Sequence, residues 1–306
     1  MKRFLTTAAL VLLPVIGWVL FLCFIADGKT DPYYLRFTTG KKSSLILGTS
    51  RAAQGLQPAS FNSVLLPNST PSFYNYSFSL LDSPFGPAYL ESIKKKLDPE
   101  TKDGVFIVTV DPWSISATGD DFDNLVKFPE NKGFIGKTKF VNINPNIPYL
   151  LQSFDEPFIN IWLKWRKPGF MYLHSDGWLE VNLKMDSTLF NISLTNKLKI
   201  YRDDYLPNYK FSKTRFEFLN KTISFLKEHG RVYLVRLPVH QDMFDIEDEL
   251  MPDFDDKIKN IIASANVSYL NFKLLENSYH YTDGNHLYKT SGKEVSAKIA
   301  HWLIEQ

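Results

Sequence analysis

The chain has 306 residues, 44% of them hydrophobic, enough for one large domain or two small ones. Its net charge of +2 comes from 35 Lys and Arg against 33 Asp and Glu, so charge gives no argument for nucleic acid or for a strongly acidic partner. A single cysteine, Cys23, excludes an intramolecular disulfide and leaves the rest of the chain without a cysteine nucleophile or cysteine-based metal site.

Residues 5–26 carry no charge and are rich in Leu, Val, Ile, Phe and Ala. A helix of that length rises about 1.5 Å per residue and covers a hydrocarbon core of roughly 30 Å. Lys2 and Arg3 precede it, and the positive-inside rule puts them in the cytoplasm. Residues 1–4 are then a cytoplasmic tail, 5–26 a single transmembrane anchor, and 27–306 a domain outside the membrane. A cleaved signal peptide is the competing reading, but the run is long for one and Phe24-Ile25-Ala26-Asp27 offers no evident cleavage motif of small residues.

Strands and helices alternate after the anchor. Ser44–Leu47 reads as a buried strand stopping at Gly48, and Phe73–Ser77 as a weaker one. Pro84–Leu97 has Tyr89, Ile93 and Leu97 on one helical face. Val105–Val110 is rich in β-branched residues and ends at the turn Asp111-Pro112. From about 113 to 209 the pattern loosens into an insertion with short helices and a hairpin near Trp178. Regularity returns with a helix over Phe211–His229 closed by Gly230, a strand over Arg231–Leu237, a helix over Phe254–Ala263, a strand over Val267–Phe272 and a last helix over Lys289–Glu305. Such alternation predicts an α/β three-layer sandwich around a parallel sheet.

Open parallel sheets bind ligands beyond the carboxyl ends of their strands. Gly48-Thr49-Ser50-Arg51 follows the first strand, and Asp283-Gly284-Asn285-His286 lies between the last strand and the last helix. Serine, histidine and aspartate so disposed can make a nucleophile, a general base and the carboxylate that orients it. The Ser50 N–H, near a helix start, can face a developing oxyanion. Each cluster has a duller reading, Ser50 as a helix N-cap and His286 as a loop residue.

The two clusters together resemble the SGNH (GDSL-like) hydrolase superfamily, in a flavodoxin-like architecture. There a Gly-x-Ser block follows the first strand and an Asp-x-x-His block precedes the final helix. The string Leu47-Gly48-Thr49-Ser50-Arg51-Ala52, with Gly55 and Pro58, is most similar to a membrane-anchored bacterial branch. That branch includes the D-alanyl transfer protein of teichoic acid modification and relatives of the alginate O-acetylation proteins. The resemblance implies Ser50, His286 and Asp283 as a triad, acting on ester or acyl groups of a cell-envelope glycan from the outer side of the bacterial cytoplasmic membrane. It implies a multispanning membrane acyltransferase as partner; no cofactor is expected, and no metal. The family's Gly-x-Asn block has no counterpart in Val110-Asp111-Pro112-Trp113-Ser114, so oxyanion donors are sought at Asn75 and Gly86.

Other polar residues fall on the same sheet edge. Arg51 is either a ligand for an anionic substrate group or a surface charge. Arg236 and His240 either contact substrate and support the triad or, for Arg236, pair with a structural carboxylate. Asp111 either serves the site or caps a turn. His174 and Asp176 lack the further ligands a metal needs, and Trp113 and Trp178 suit sugar stacking or packing. The non-catalytic alternative is a membrane-tethered binding or assembly protein that keeps this fold.

Overall fold

A computed structural model of the chain describes residues 1–65, 73–154, 156–167, 169–275 and 278–306. Helix α1 (Lys2–Ile25) is followed by β1 (Ser44–Leu47), α2 (Ser50–Gly55), α3 (Pro58–Leu65), β2 (Phe73–Asn75), α4 (Pro87–Lys96) and β3 (Gly104–Thr109). A less regular stretch holds β4 (Ser116–Thr118), α5 (Phe134–Lys137), α6 (Ile147–Gln152), α7 (Ile159–Trp165), β5 (Met171–Leu173), β6 (Leu179–Val181), α8 (Ser187–Ile200) and β7 (Tyr209–Phe211). The chain closes with α9 (Lys213–Lys227), β8 (Gly230–Arg236), α10 (Gln241–Leu250), α11 (Phe254–Ala265), β9 (Ser268–Asn271) and α12 (Lys289–Ile304).

Among the described residues a five-stranded sheet runs in the order β2-β1-β3-β8-β9, with every neighbouring pair parallel. Central parallel strands are buried on both faces, which is why β1, β3 and β8 carry apolar runs while the edge strand β9 is only partly buried. Their side chains alternate between two cores. Leu45, Leu47, Phe106, Val108 and Leu234 pack with Tyr89 and Ile93 of α4, Leu219 and Ile223 of α9 and Ile258 of α11. Ile46, Ile107 and Val235 face the other way, onto Ala52 of α2, Phe61 of α3 and Val295 and Ile299 of α12. The result is the expected three-layer sandwich. Leu234 has no exposed surface in the first core. A Leu234→Ala variant is expected to lose about 2–5 kcal/mol, read as a lower denaturation midpoint at unchanged slope.

The element ends differ from the sequence reading for local reasons. Helix α4 begins at Pro87 rather than Pro84, because Gly86 is extended and a proline suits the first helical position. Helix α9 begins at Lys213 because the Ser212 hydroxyl accepts the Arg215 N–H (3.1 Å), while Phe211 pairs with Ser116 across β4 and β7. The second strand ends at Asn75 rather than Ser77. The hairpin near Trp178 is β5–β6, turning at Gly177 with φ of 84°. Residues 155 and 168 of the looser stretch lie outside the described residues.

Helix α1 is long and apolar enough to cross a membrane. Most of it is exposed, yet Leu22 and Cys23 are buried, and Cys23 belongs to the same core as Tyr34 and Phe37.

Candidate active site

The turn after β1 is built tightly. Gly48 has φ of 151°, a region that strains L side chains, and a Cβ there would run into the Thr109 hydroxyl. Its N–H donates to the Tyr89 hydroxyl (3.0 Å), and its carbonyl accepts the Ser83 hydroxyl (2.7 Å). Thr49 is the N-cap of α2, its carbonyl accepting the amides of Ala52 and Ala53 at 3.0 Å. Ser50 is therefore the first helical residue, not the cap. Its side chain is half-buried, and its N–H has no intrahelical carbonyl to meet.

The loop before α12 reaches Ser50 from the far end of the chain. The Asp283 carboxylate accepts the backbone amides of Asn285 (3.0 Å) and His286 (2.9 Å), which folds the four residues into a tight turn. The same carboxylate meets His286 Nδ1 at 2.9 and 3.0 Å, and His286 Nε2 lies 2.8 Å from Ser50 Oγ. With the proton on Nδ1, the ring donates to Asp283 and accepts from the Ser50 hydroxyl. Thr282 donates to the His286 carbonyl (2.9 Å), and the His240 amide to the Gly284 carbonyl (2.8 Å), pinning the loop on both sides.

Lys197, near the end of α8, adds an ion pair to Asp283 Oδ2 at 3.1 Å. Burial alone would push the Asp283 carboxyl up. The charge and hydrogen bond of His286, followed by those of Lys197, overcome it and hold the carboxyl well below the usual range. Asp283 thus stays ionised beside His286.

Behind Ser50 lies a buried polar network. Arg51 donates to the Asn285 side-chain oxygen from Nε (3.0 Å) and Nη2 (2.7 Å), and meets Glu247 at 2.5 Å and Asp111 at 3.7 Å. Glu247, fully buried, also pairs with Arg236 (2.7 Å), which reaches on to Asp255 (3.2 Å). Burial pushes the Glu247 carboxyl up, but the two guanidiniums outweigh it and hold it low. Asp111 goes the opposite way: burial first, then the Glu247 charge, raise it despite Arg51.

This network reassigns several residues. Arg51 is buried with its guanidinium held by Asn285, Glu247 and Asp111, so it is not a surface charge. Asp111 accepts the Ser114 amide (2.9 Å), capping the turn after β3. Arg236 is a structural partner of carboxylates. His240 caps α10 and lies beside Phe190 and Tyr281. The amide of Asn75 donates to the Ala52 and Leu56 carbonyls, both at 2.8 Å, and a Cβ on Gly86 would meet Glu130 and Arg215. The Asn75 side-chain amide thus has both of its N–H groups engaged by backbone carbonyls. Trp113 packs on Tyr201, Tyr205 and Tyr209, Trp178 donates to the Gln54 carbonyl (2.8 Å), and His174 pairs with Glu180 (2.9 Å).

Glu247 and Lys197 were not singled out in the sequence. Glu247 sits among the acids of Asp245-Ile246-Glu247-Asp248-Glu249, and its burial is its distinguishing mark. Lys197 resembles any lysine in a last helical turn. Next to the His286 loop is a cleft of about 610 Å³, lined by Phe190, His240, Tyr279, Tyr281 and Tyr288.

No family model and no curated protein matches the chain. Among solved structures, it is similar to an M. smegmatis aryl esterase in inhibitor-bound and native forms. Sequence identity is 10%, the alignments cover 87% of this chain and 99% of those chains, and the TM-scores are 0.37 and 0.35.

Proposed function

We propose that the protein is a membrane-anchored serine esterase or O-acyltransferase acting on acyl groups of a cell-envelope glycan, with Ser50 as nucleophile, His286 as base and Asp283 as its orienting carboxylate. The observation that carries the reading is the hydrogen-bonded chain Asp283–His286–Ser50, closed at 2.9 and 2.8 Å between residues 236 positions apart.

His286 Nε2 takes the Ser50 proton as Oγ attacks the ester carbonyl carbon. The tetrahedral oxyanion collapses, the alkoxide leaves with the proton from Nε2, and the acyl group stays on Oγ. Water or a sugar hydroxyl then gives its proton to Nε2 and attacks the acyl carbon, and Ser50 recovers its proton. The Ser50 N–H supports the oxyanion in this scheme. Asp283 stabilises the imidazolium without taking the proton.

In the same reading α1 holds the protein in the bacterial cytoplasmic membrane with Lys2 and Arg3 inside. The active site then lies outside, where a multispanning acyltransferase would hand over the acyl group. A second reading, a non-catalytic binding or assembly protein, draws on the Asn75 side-chain amide being engaged by the Ala52 and Leu56 carbonyls.

The test is full-length protein in detergent, exposed to a fluorophosphonate probe and to p-nitrophenyl acetate beside its Ser50→Ala variant. Label on Ser50 and acyl release that both disappear in the variant are the expected result. Equal reactivity in the two folded proteins removes Ser50 as nucleophile. Silence in both, persisting with a membrane acyl donor system present, favours the binding-protein reading.

A further inference from the structure

Helix α1 joins the folded chain along its last turns rather than through a tether. Leu22 and Cys23 are buried, and Val19 and Ala26 pack on the same core. Nearby, Trp18 and Phe21 meet Trp162 of α7 with ring centroids 5.5 and 6.0 Å apart, and Trp165 lies 5.8 Å from Trp162. Helix α7 turns an apolar row outward: Ile159, Trp162 and Leu163 are exposed, Leu163 by 57%, as is Phe170 just beyond. A row of large apolar side chains at the surface asks for a non-aqueous neighbour.

The level of that row follows from helix geometry. The 24 residues of α1 rise about 36 Å, against a hydrocarbon core of roughly 30 Å. Trp18 lies about 10 Å before the end at Ile25. The slack of about 6 Å is smaller than that. In any register that carries α1 across the core, Trp18 sits inside the outer boundary, and Trp162 touches Trp18.

Charge fits the same level. Arg166 and Lys167 are exposed directly after α7, and Arg166 lies over the Trp165 ring at 5.4 Å. A cleft of about 420 Å³ beside them is lined by Lys29, Lys164, Lys167, Thr30, Glu156 and Phe170. Two of its lysines are ion-paired, Lys29 with Asp27 (3.3 Å) and Lys164 with Glu156 (2.8 Å). Tryptophan beside lysine and arginine is the composition of a membrane–water interface.

We propose that α7 and Phe170 form a lipid-docking surface, seated in the outer leaflet of the membrane that α1 crosses, with the lysine-lined cleft taking the phosphate of an anionic phospholipid headgroup. The inference rests on reading α1 as a membrane anchor. It makes the domain a body with a fixed attitude to the bilayer.

The test uses the full chain in vesicles of phosphatidylethanolamine and phosphatidylglycerol, with a nitroxide on Leu163→Cys. Labels at Leu12→Cys in α1 and Leu274→Cys on the turn after β9 are the comparisons. The native Cys23 is buried, so the introduced thiol takes the label. Relaxation by oxygen relative to a water-soluble nickel chelate is expected to be several-fold higher at Leu163 than at Leu274, and to fall when a neutral lipid replaces phosphatidylglycerol. A Leu163 ratio equal to that of Leu274, with Leu12 reading hydrocarbon, overturns the docking surface and leaves the anchor standing. Water-like values at Leu12 as well overturn the anchor reading and the surface with it. A Leu163 label shielded from both reagents means that protein covers α7, and overturns the lipid assignment. A ratio that ignores lipid charge removes the headgroup from the cleft.

Discussion

An Asp283→Asn variant is expected to fold with Ser50 and His286 in place and to lose about 10⁴-fold in kcat. The reason is a proton in the wrong position. In the native site His286 Nδ1 donates to Asp283, leaving Nε2 free to accept from Ser50. An amide nitrogen at residue 283 donates instead, so Nδ1 becomes the acceptor and the proton moves to Nε2, where it opposes the Ser50 hydroxyl. The amide oxygen can still accept from Asn285 and His286, so the turn survives. Steady-state hydrolysis of p-nitrophenyl acetate and a circular dichroism spectrum check both halves; activity within tenfold of the parent would sink the triad assignment. The same substitution alters the acid limb of stability. Because the folded Asp283 carboxyl is depressed, its contribution is fully present above the unfolded value of about 3.9 and is lost as pH falls through the lower folded value. The Asn variant is expected to show a shallower loss of stability below about pH 4, measured by urea midpoints across pH.

A Glu247→Ala variant is expected to lose roughly 3–5 kcal/mol, and with it on the order of 10 °C in Tm. Glu247 has no exposed surface and bridges two buried guanidiniums, Arg51 at 2.5 Å and Arg236 at 2.7 Å. Removing it leaves two buried like charges without the carboxylate that bridges them, with only Asp111 and Asn285 beside Arg51 and Asp255 beside Arg236. Activity is expected to fall as well, because Arg51 holds Asn285 beside His286. A paired change, Arg51→Met with Glu247→Leu, separates the two roles. It removes the charge clash, so stability should recover relative to Glu247→Ala while turnover stays low, since the Asn285 side chain loses its guanidinium partner. Recovery of both would mean that the network supports folding only.

The sequence exposed the parts of this design that repeat a local pattern. β1, β3 and β8 are built around central apolar runs, and Tyr89 and Ile93 mark the inner face of α4, because burial on a regular element imposes a period. The approach of Ser50 to His286 also followed, since both clusters lie at the same end of the sheet. Arg51 was legible only as a cation next to Ser50. Its partners at 111, 247 and 285 come from three other segments, and no local period ties them together. Helix α10 escaped for a related reason: Glu247 lies buried among Met243, Phe244 and Ile246 and breaks the apolar stripe. Lys197 depends on where α8 lies against the final loop, a tertiary fact.

The burial of Cys23 in one core with Tyr34 and Phe37 bears on how the protein is made and handled. A fragment begun at Asp27 would leave part of that core without its wall, presenting aromatic rings to water and inviting self-association. Solubility gained by removing the helix comes with a sticky scar, so a detergent-solubilised whole chain is the sounder preparation. On the proposed reading of α1 as a membrane anchor, the same contact couples insertion of the helix to completion of the fold. The core that Cys23 joins also takes in residues as distant as Ile258 and Val267, so that contact is completed only when the far strands and helices have packed.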